Sequence, residues 1–154
     1  MGARFVARHL CRSIFYMDKF EQIFNKWKNG ETDLAPVTKL LGIKPIEYKK
    51  GSAKVAMEAG PLHHNALGAV HGGILTDLAD VAFGVAIATT MEIGQGFTTL
   101  DIHICYIRPV KKAKLIASAK VVHLGRTRAY LECEIHNEDG KLVAKANSNY
   151  MILS

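Results

Sequence analysis

From Gly72 to Met91 the chain reads GGILTDLADVAFGVAIATTM, long enough for a helix, apolar on almost every side, and yet carrying two carboxylates. Ile74, Leu78, Val81, Ala82, Val85 and Ala88 recur at helical spacing as one apolar stripe, and Leu75, Ala79, Phe83, Ala86 and Ile87 leave hardly any polar face. A helix of that kind is buried, and in a chain of 154 residues a sheet must wrap it. Asp77 and Asp80 exclude a membrane span, because the apolar run after them falls well short of the roughly 20 residues that a bilayer requires.

The flanking segments read as strands. Residues 44–60 suggest two short strands broken near Lys50-Gly51, and residues 97–107, FTTLDIHICYI, alternate in character. Leu115 to Leu124 is a strand, Gly125-Arg126 a turn, and Arg128 to His136 a further strand. Glu138-Asp139-Gly140 signals a hairpin before Leu142 to Leu153. The expected architecture is a single α+β domain, with the helix inserted between one strand pair and a four-strand meander. Ahead of it, Asp18 to Trp27 places Phe20, Ile23, Phe24 and Trp27 on one face of an amphipathic helix stopped by Asn29-Gly30, and a short helical segment runs from Pro36 to Leu41.

With 49% hydrophobic and 22% charged residues, the composition excludes disordered and fibrous classes. Cys11, Cys105 and Cys133 form no CxxC pair and read as reduced, small hydrophobes, not as nucleophiles or zinc ligands. The formal charge of +6 suits a polyanion, but no basic helix or interleaving of aromatic and basic residues marks a nucleic-acid surface. Alongside a plain solvated basic surface, a phosphate-bearing small ligand is the functional reading. Residues 1–16 hold three arginines and no acid, which resembles a mitochondrial presequence, and Met17 stands where an alternative start would lie. Arginines interrupt the apolar residues too often for a secretory signal.

Asp77 and Asp80, three residues apart, point to one side of the helix, about one and two turns from its start. An acid near a helix N-terminus is favoured by the dipole, which accounts for Asp77; Asp80 lies deeper and reads as functional. The preceding His71-Gly72-Gly73 places free backbone N–H groups at the helix start, where glycine lets a ligand approach closely. Such a site suits a carbonyl oxygen that turns negative during attack. With Asp80 activating water or attacking directly, the combination describes acyl transfer to water.

Asn65, Gly68, His71-Gly72-Gly73 and Asp80 nine residues after the histidine form an ordered motif. It is joined by Gly96 to Asp101 (GFTTLD), Tyr106 to Val110 (YIRPV) and His123 to Thr127 (HLGRT). Over residues 35–153 the sequence resembles the hotdog-fold thioesterases, in the PaaI-like branch that hydrolyses acyl-coenzyme A thioesters. The resemblance divides the chain into an N-terminal extension, 1–34, and a hotdog domain, 35–154, whose antiparallel sheet wraps a long central helix. It implies a homodimer, paired again into a homotetramer, with active sites at the dimer interface.

By the same resemblance Asp80 is general base or nucleophile, Asn65 holds the thioester or the water, the Gly72 N–H polarises the carbonyl and His71 shapes the loop. Thr99 is the assisting hydroxyl, with Thr98 one register step away, and Gly73 stands among the substrate-binding positions. Arg108, Lys111, Lys112 and Arg126 are candidates for the coenzyme's phosphates. The family uses no metal or other cofactor, and His63, His64 and His71 lack an acid at ligand spacing; His103, His123 and His136 read as solvent-side or interface positions. An aspartate at position 80 resembles the phenylacetyl and medium or long acyl branch. Acyl-CoA is the expected partner, with no nucleic acid and no membrane span. The expected location is cytoplasmic, or the mitochondrial matrix if residues 1–16 are a presequence. The alternatives are a hotdog hydratase or dehydratase and a non-catalytic acyl-CoA-binding module.

Overall fold

Turn residues divide the chain into hairpins, and the hairpins build one sheet. The computed structural model describes residues 20–153; the presequence-like segment, Cys11 and the first residues of the amphipathic helix lie outside the described residues. Helix α1 covers residues 20–28 and α2 covers Pro36–Leu40. Strands β1 (Lys44–Lys49) and β2 (Ser52–Ala59) then form the first hairpin. A 3-10 turn at Pro61–His63 leads through a loop to α3, Gly72–Ala88. Four strands follow: β3 (Gly96–Tyr106), β4 (Ala113–Leu124), β5 (Arg128–Asn137) and β6 (Leu142–Leu153).

All neighbouring strands pair antiparallel in the order β1-β2-β4-β5-β6-β3, and α3 packs across the sheet, chiefly on β2 and β4. This is the expected α+β hotdog arrangement, with a correction to its topology. Only β4, β5 and β6 form a meander; β3 lies beyond β6 as an edge strand. Pro109 breaks the chain after β3, and the Ile107 and Arg108 N–H groups both bond to the Val143 carbonyl as the chain turns toward β4. Hydrophobic alternation says which strands exist but not which lie side by side.

Helix α3 is shorter than Gly72 to Met91. Beyond Ala88 the hydroxyls of Thr89 and Thr90 donate to the carbonyls of Ala86 and Ile87 at 2.7 and 2.8 Å, taking acceptors that further turns would use. Its burial also differs from a fully wrapped helix. Leu75, Leu78, Ala79, Ala82, Phe83, Val85, Ala86 and Ile87 are buried, whereas Ile74, Val81, Gly84 and Ala88 are only half-buried and Asp77 is exposed. A single sheet layer covers one side of a helix, so half of the expected stripe lies at the margin of the core, where Ile74 and Val81 pack against it without being fully covered.

The buried face is nonetheless strong enough to hold α3 rigidly, since each large side chain fully removed from water contributes roughly 1.5–3 kcal/mol. The core continues into α1, where Phe24 and Trp27 are buried and the Phe24 ring packs edge-on against Tyr48 of β1 at 4.4 Å. Among the described residues no helix is long and apolar enough to cross a membrane.

Candidate active site

The start of α3 is assembled from residues near one another in sequence. Asn65 opens a turn in which its Oδ1 accepts from the N–H groups of Leu67 (2.9 Å) and Ala69 (3.3 Å), and Gly68 closes that turn with a positive φ of 75°. Both turn donors are taken by Oδ1, and the Asn65 Nδ2 group makes no hydrogen bond among the described residues. The loop is clamped to the segment after β3: the Val70 N–H donates to the Val110 carbonyl at 2.7 Å, and His64 Nε2 meets the Lys111 carbonyl at 2.6 Å.

His71 is the N-cap of α3. Its Nδ1 accepts from the Gly73 N–H at 2.9 Å, so in the neutral ring the proton sits on Nε2. The two glycines answer to two close approaches. A Cβ on Gly73 would lie 3.1 Å from His71 Nδ1, and one on Gly72 would lie 2.7 Å from Cζ of Tyr106. Tyr106 is kept over the first turn by the 3.1 Å contact between its hydroxyl and Thr76 Oγ1. The Gly73 N–H is therefore spent on His71, while the Gly72 N–H has no hydrogen-bond partner among the described residues.

Two turns along the helix, Asp80 is half-buried and held from two other elements. The Tyr150 hydroxyl of β6 donates to its Oδ1 at 3.1 Å, and Thr99 Oγ1 of β3 donates to the same oxygen at 3.4 Å. Strand alternation turns Thr98 to the opposite face, away from this carboxylate. Tyr150 was not among the residues singled out from sequence, although buried residues alternate along β6 at Ala144, Ala146, Ser148 and Tyr150. A tyrosine on an inward face needs a partner for its hydroxyl, which is the signal that pointed to it. Burial pushes the Tyr150 phenol well above its ordinary range; the Thr99 hydroxyl opposes that, and the Asp80 charge adds to it.

Asp77 lies one turn nearer the helix start and is not brought into this group. Partial desolvation against the helix raises its carboxyl above the ordinary value, although the residue is exposed, and the neighbouring Asp80 charge raises it further. Arg108, Lys111, Lys112 and Arg126 are all exposed, in two groups. Arg108, which donates to the Leu142 carbonyl at 2.7 Å, and both lysines lie in the segment clamped to the Asn65 loop. Arg126 lies in the β4–β5 turn, beside the end of β6 that carries Tyr150, where the Ile152 N–H donates to Thr127.

His63 Nδ1 accepts from the Gly60 N–H, so His63, His64 and His71 each serve the loop. Among the described residues no cluster of histidine, cysteine or acidic side chains is arranged to hold a metal ion. Burial pushes the Cys133 thiol up to about 12, which leaves it an inert core group.

Comparison with known proteins gives consistent results. The family model for the thioesterase superfamily matches residues 67–144, which include α3, β3 and the whole of β4 and β5. A Caenorhabditis elegans protein assigned as an esterase is 31% identical over 134 residues, 86% of this chain and 77% of its own. The medium/long-chain acyl-CoA thioesterase YigI of Salmonella typhimurium is 28% identical over 132 residues, covering 76% of this chain and 85% of its own. Among solved structures, the Escherichia coli PaaI protein from the phenylacetic acid degradation operon matches with a TM-score of 0.75 at 27% identity, over 86% of this chain and 95% of that one.

Proposed function

The chain belongs to the thioesterase superfamily and is a thioester hydrolase, and from that premise we propose that it cleaves acyl-coenzyme A with Asp80 as general base and the Gly72 N–H as donor to the carbonyl oxygen. One observation carries the assignment: the start of α3 offers the Gly72 N–H with no partner among the described residues, and eight residues on along the same helix Thr99 and Tyr150 hold the Asp80 carboxylate by one of its oxygens. Water attacks the thioester carbonyl carbon and passes its proton to Asp80. The oxyanion accepts a hydrogen bond from Gly72; the C–S bond then breaks, and the coenzyme A sulfur leaves with that proton.

The two groups belong to two copies of the chain. Eight residues of helix rise about 12 Å, too far for one protomer's Gly72 and Asp80 to serve a single carbonyl. A second copy supplies the missing half, and the surface is suited to it: β3 is an edge strand paired only with β6 among the described residues, with Leu100 and Tyr106 exposed on it and Ile107 exposed just beyond, and Ile74, Val81 and Ala88 of α3 are only half-buried. In such a homodimer Lys111 and Lys112 of one copy and Arg126 of the other approach the same site from two sides, where the coenzyme's phosphates need positive charge. Asn65 Nδ2 is free to hold the thioester or the water.

The test is release of free thiol from short, aromatic and long acyl-CoA substrates by the wild type and by Asp80→Asn, with the mass in solution measured alongside. Turnover lost in the variant at an unchanged dimeric or tetrameric mass supports the reading. Equal turnover in both proteins, or an active monomer, overturns it.

A further inference from the structure

The carboxylate of Asp80 is held asymmetrically. Both donors, the Tyr150 hydroxyl at 3.1 Å and Thr99 Oγ1 at 3.4 Å, converge on Oδ1, and Oδ2 has no hydrogen-bond partner among the described residues. Of the two donors, Tyr150 makes the shorter bond and is by far the better anchored. Its residue is 1% exposed, its ring packs against Phe97 at 5.8 Å, and its backbone pairs with Ala129 on one side and Thr99 on the other. Thr99 sits exposed on an edge strand, immediately before the irregularity between Thr99 and Asp101.

We propose that Tyr150 is a positioning residue for the hydrolysis: it fixes the Asp80 carboxylate through Oδ1 and so selects Oδ2 as the atom that takes the proton of the attacking water. The proposal rests on the assignment of Asp80 made above and adds to it a residue outside the motif and an identity for the reacting oxygen. The atoms balance as before, with the water proton on Oδ2 and the Tyr150 proton never leaving its phenol. Burial keeps that phenol protonated across the working range, so it remains a donor. Only the hydroxyl distinguishes this role from filling the core, because a phenylalanine fills the same volume.

Tyr150→Phe therefore isolates the effect. A carboxylate free to rotate loses alignment without losing substrate, so kcat falls about tenfold while KM stays within about twofold and the melting temperature within a few degrees. Placed in an Asp80→Asn background, the same substitution changes the residual rate by less than about twofold, because the group it positions is no longer a base. Unchanged kcat in Tyr150→Phe overturns the proposal, and so does an equal tenfold loss in both backgrounds. Failure of the underlying assignment is separable, since Asp80→Asn alone would then turn over at the wild-type rate.

Discussion

The first turn of α3 and the surroundings of Asp80 solve the same problem, holding one polar group at a set place, by opposite means. The first turn is local: Asn65, Gly68, His71, Gly72 and Gly73 lie within nine residues, and their own backbone and side chains make the turn and the cap. The Asp80 site is remote in sequence, its donors arriving from 19 and 70 residues away on two different strands. A locally built site survives changes elsewhere in the fold, whereas a remote one depends on register, and a one-residue slip of β3 or β6 removes a donor altogether.

Substitutions at the two places break this comparison in different ways. The largest expected effect is at Asp80: Asp80→Asn keeps the shape and removes the base, so kcat drops by about 10²–10⁴ with the fold intact, measured by thiol release and circular dichroism. Next is Gly72→Ala, whose methyl group collides with Tyr106. Turnover is expected to fall roughly tenfold or more as the ring is pushed across the free N–H, with little loss of stability because Tyr106 is half exposed and can move. Truncating that ring in Gly72→Ala/Tyr106→Ala should recover part of the lost rate, and a double variant no better than the single one would show that the collision is not the cause.

His71→Ala removes the N-cap and should cost about 1 kcal/mol in urea unfolding, with His71→Asn recovering most of it, as asparagine is a good cap. The smallest effect is at Asp77. Its carboxyl is held above the ordinary value of 3.8, so the folded state binds that proton more tightly than the unfolded one. Stability on this account falls as pH rises from about 3.8 through the raised value, and the cost persists above it. Asp77→Asn should therefore gain stability at pH 7, on the order of a few tenths of a kcal/mol after solvent screening, and gain nothing below pH ~3. Its loss of turnover should be far smaller than that of Asp80→Asn.

The contrast also explains what could be read in advance. The hairpins at Lys50-Gly51, Gly125-Arg126 and Glu138-Asp139-Gly140 and the strands between them follow from turn chemistry and alternation, which act over a few residues. The His71-Gly72-Gly73 loop was legible for the same reason. The edge position of β3 was not, because sheet order depends on which faces meet after the chain has crossed the domain. Half of the apolar stripe on α3 proved only half-buried, since Ile74, Val81 and Ala88 satisfy helical spacing equally well whether or not the sheet covers them completely.

By itself the sequence determined the elements of this protein, the buried helix with two acids, and the glycine-bearing turn that leaves an N–H free, all consequences of spacing and local backbone chemistry. Only the tertiary structure decided that Asp80 and not Asp77 meets hydroxyls, that Thr99 and not Thr98 faces it, and that Tyr150 holds it by one oxygen. Those choices depend on register across β3 and β6, where partners 19 and 70 residues apart are brought within about 3 Å by packing that no short stretch of sequence encodes.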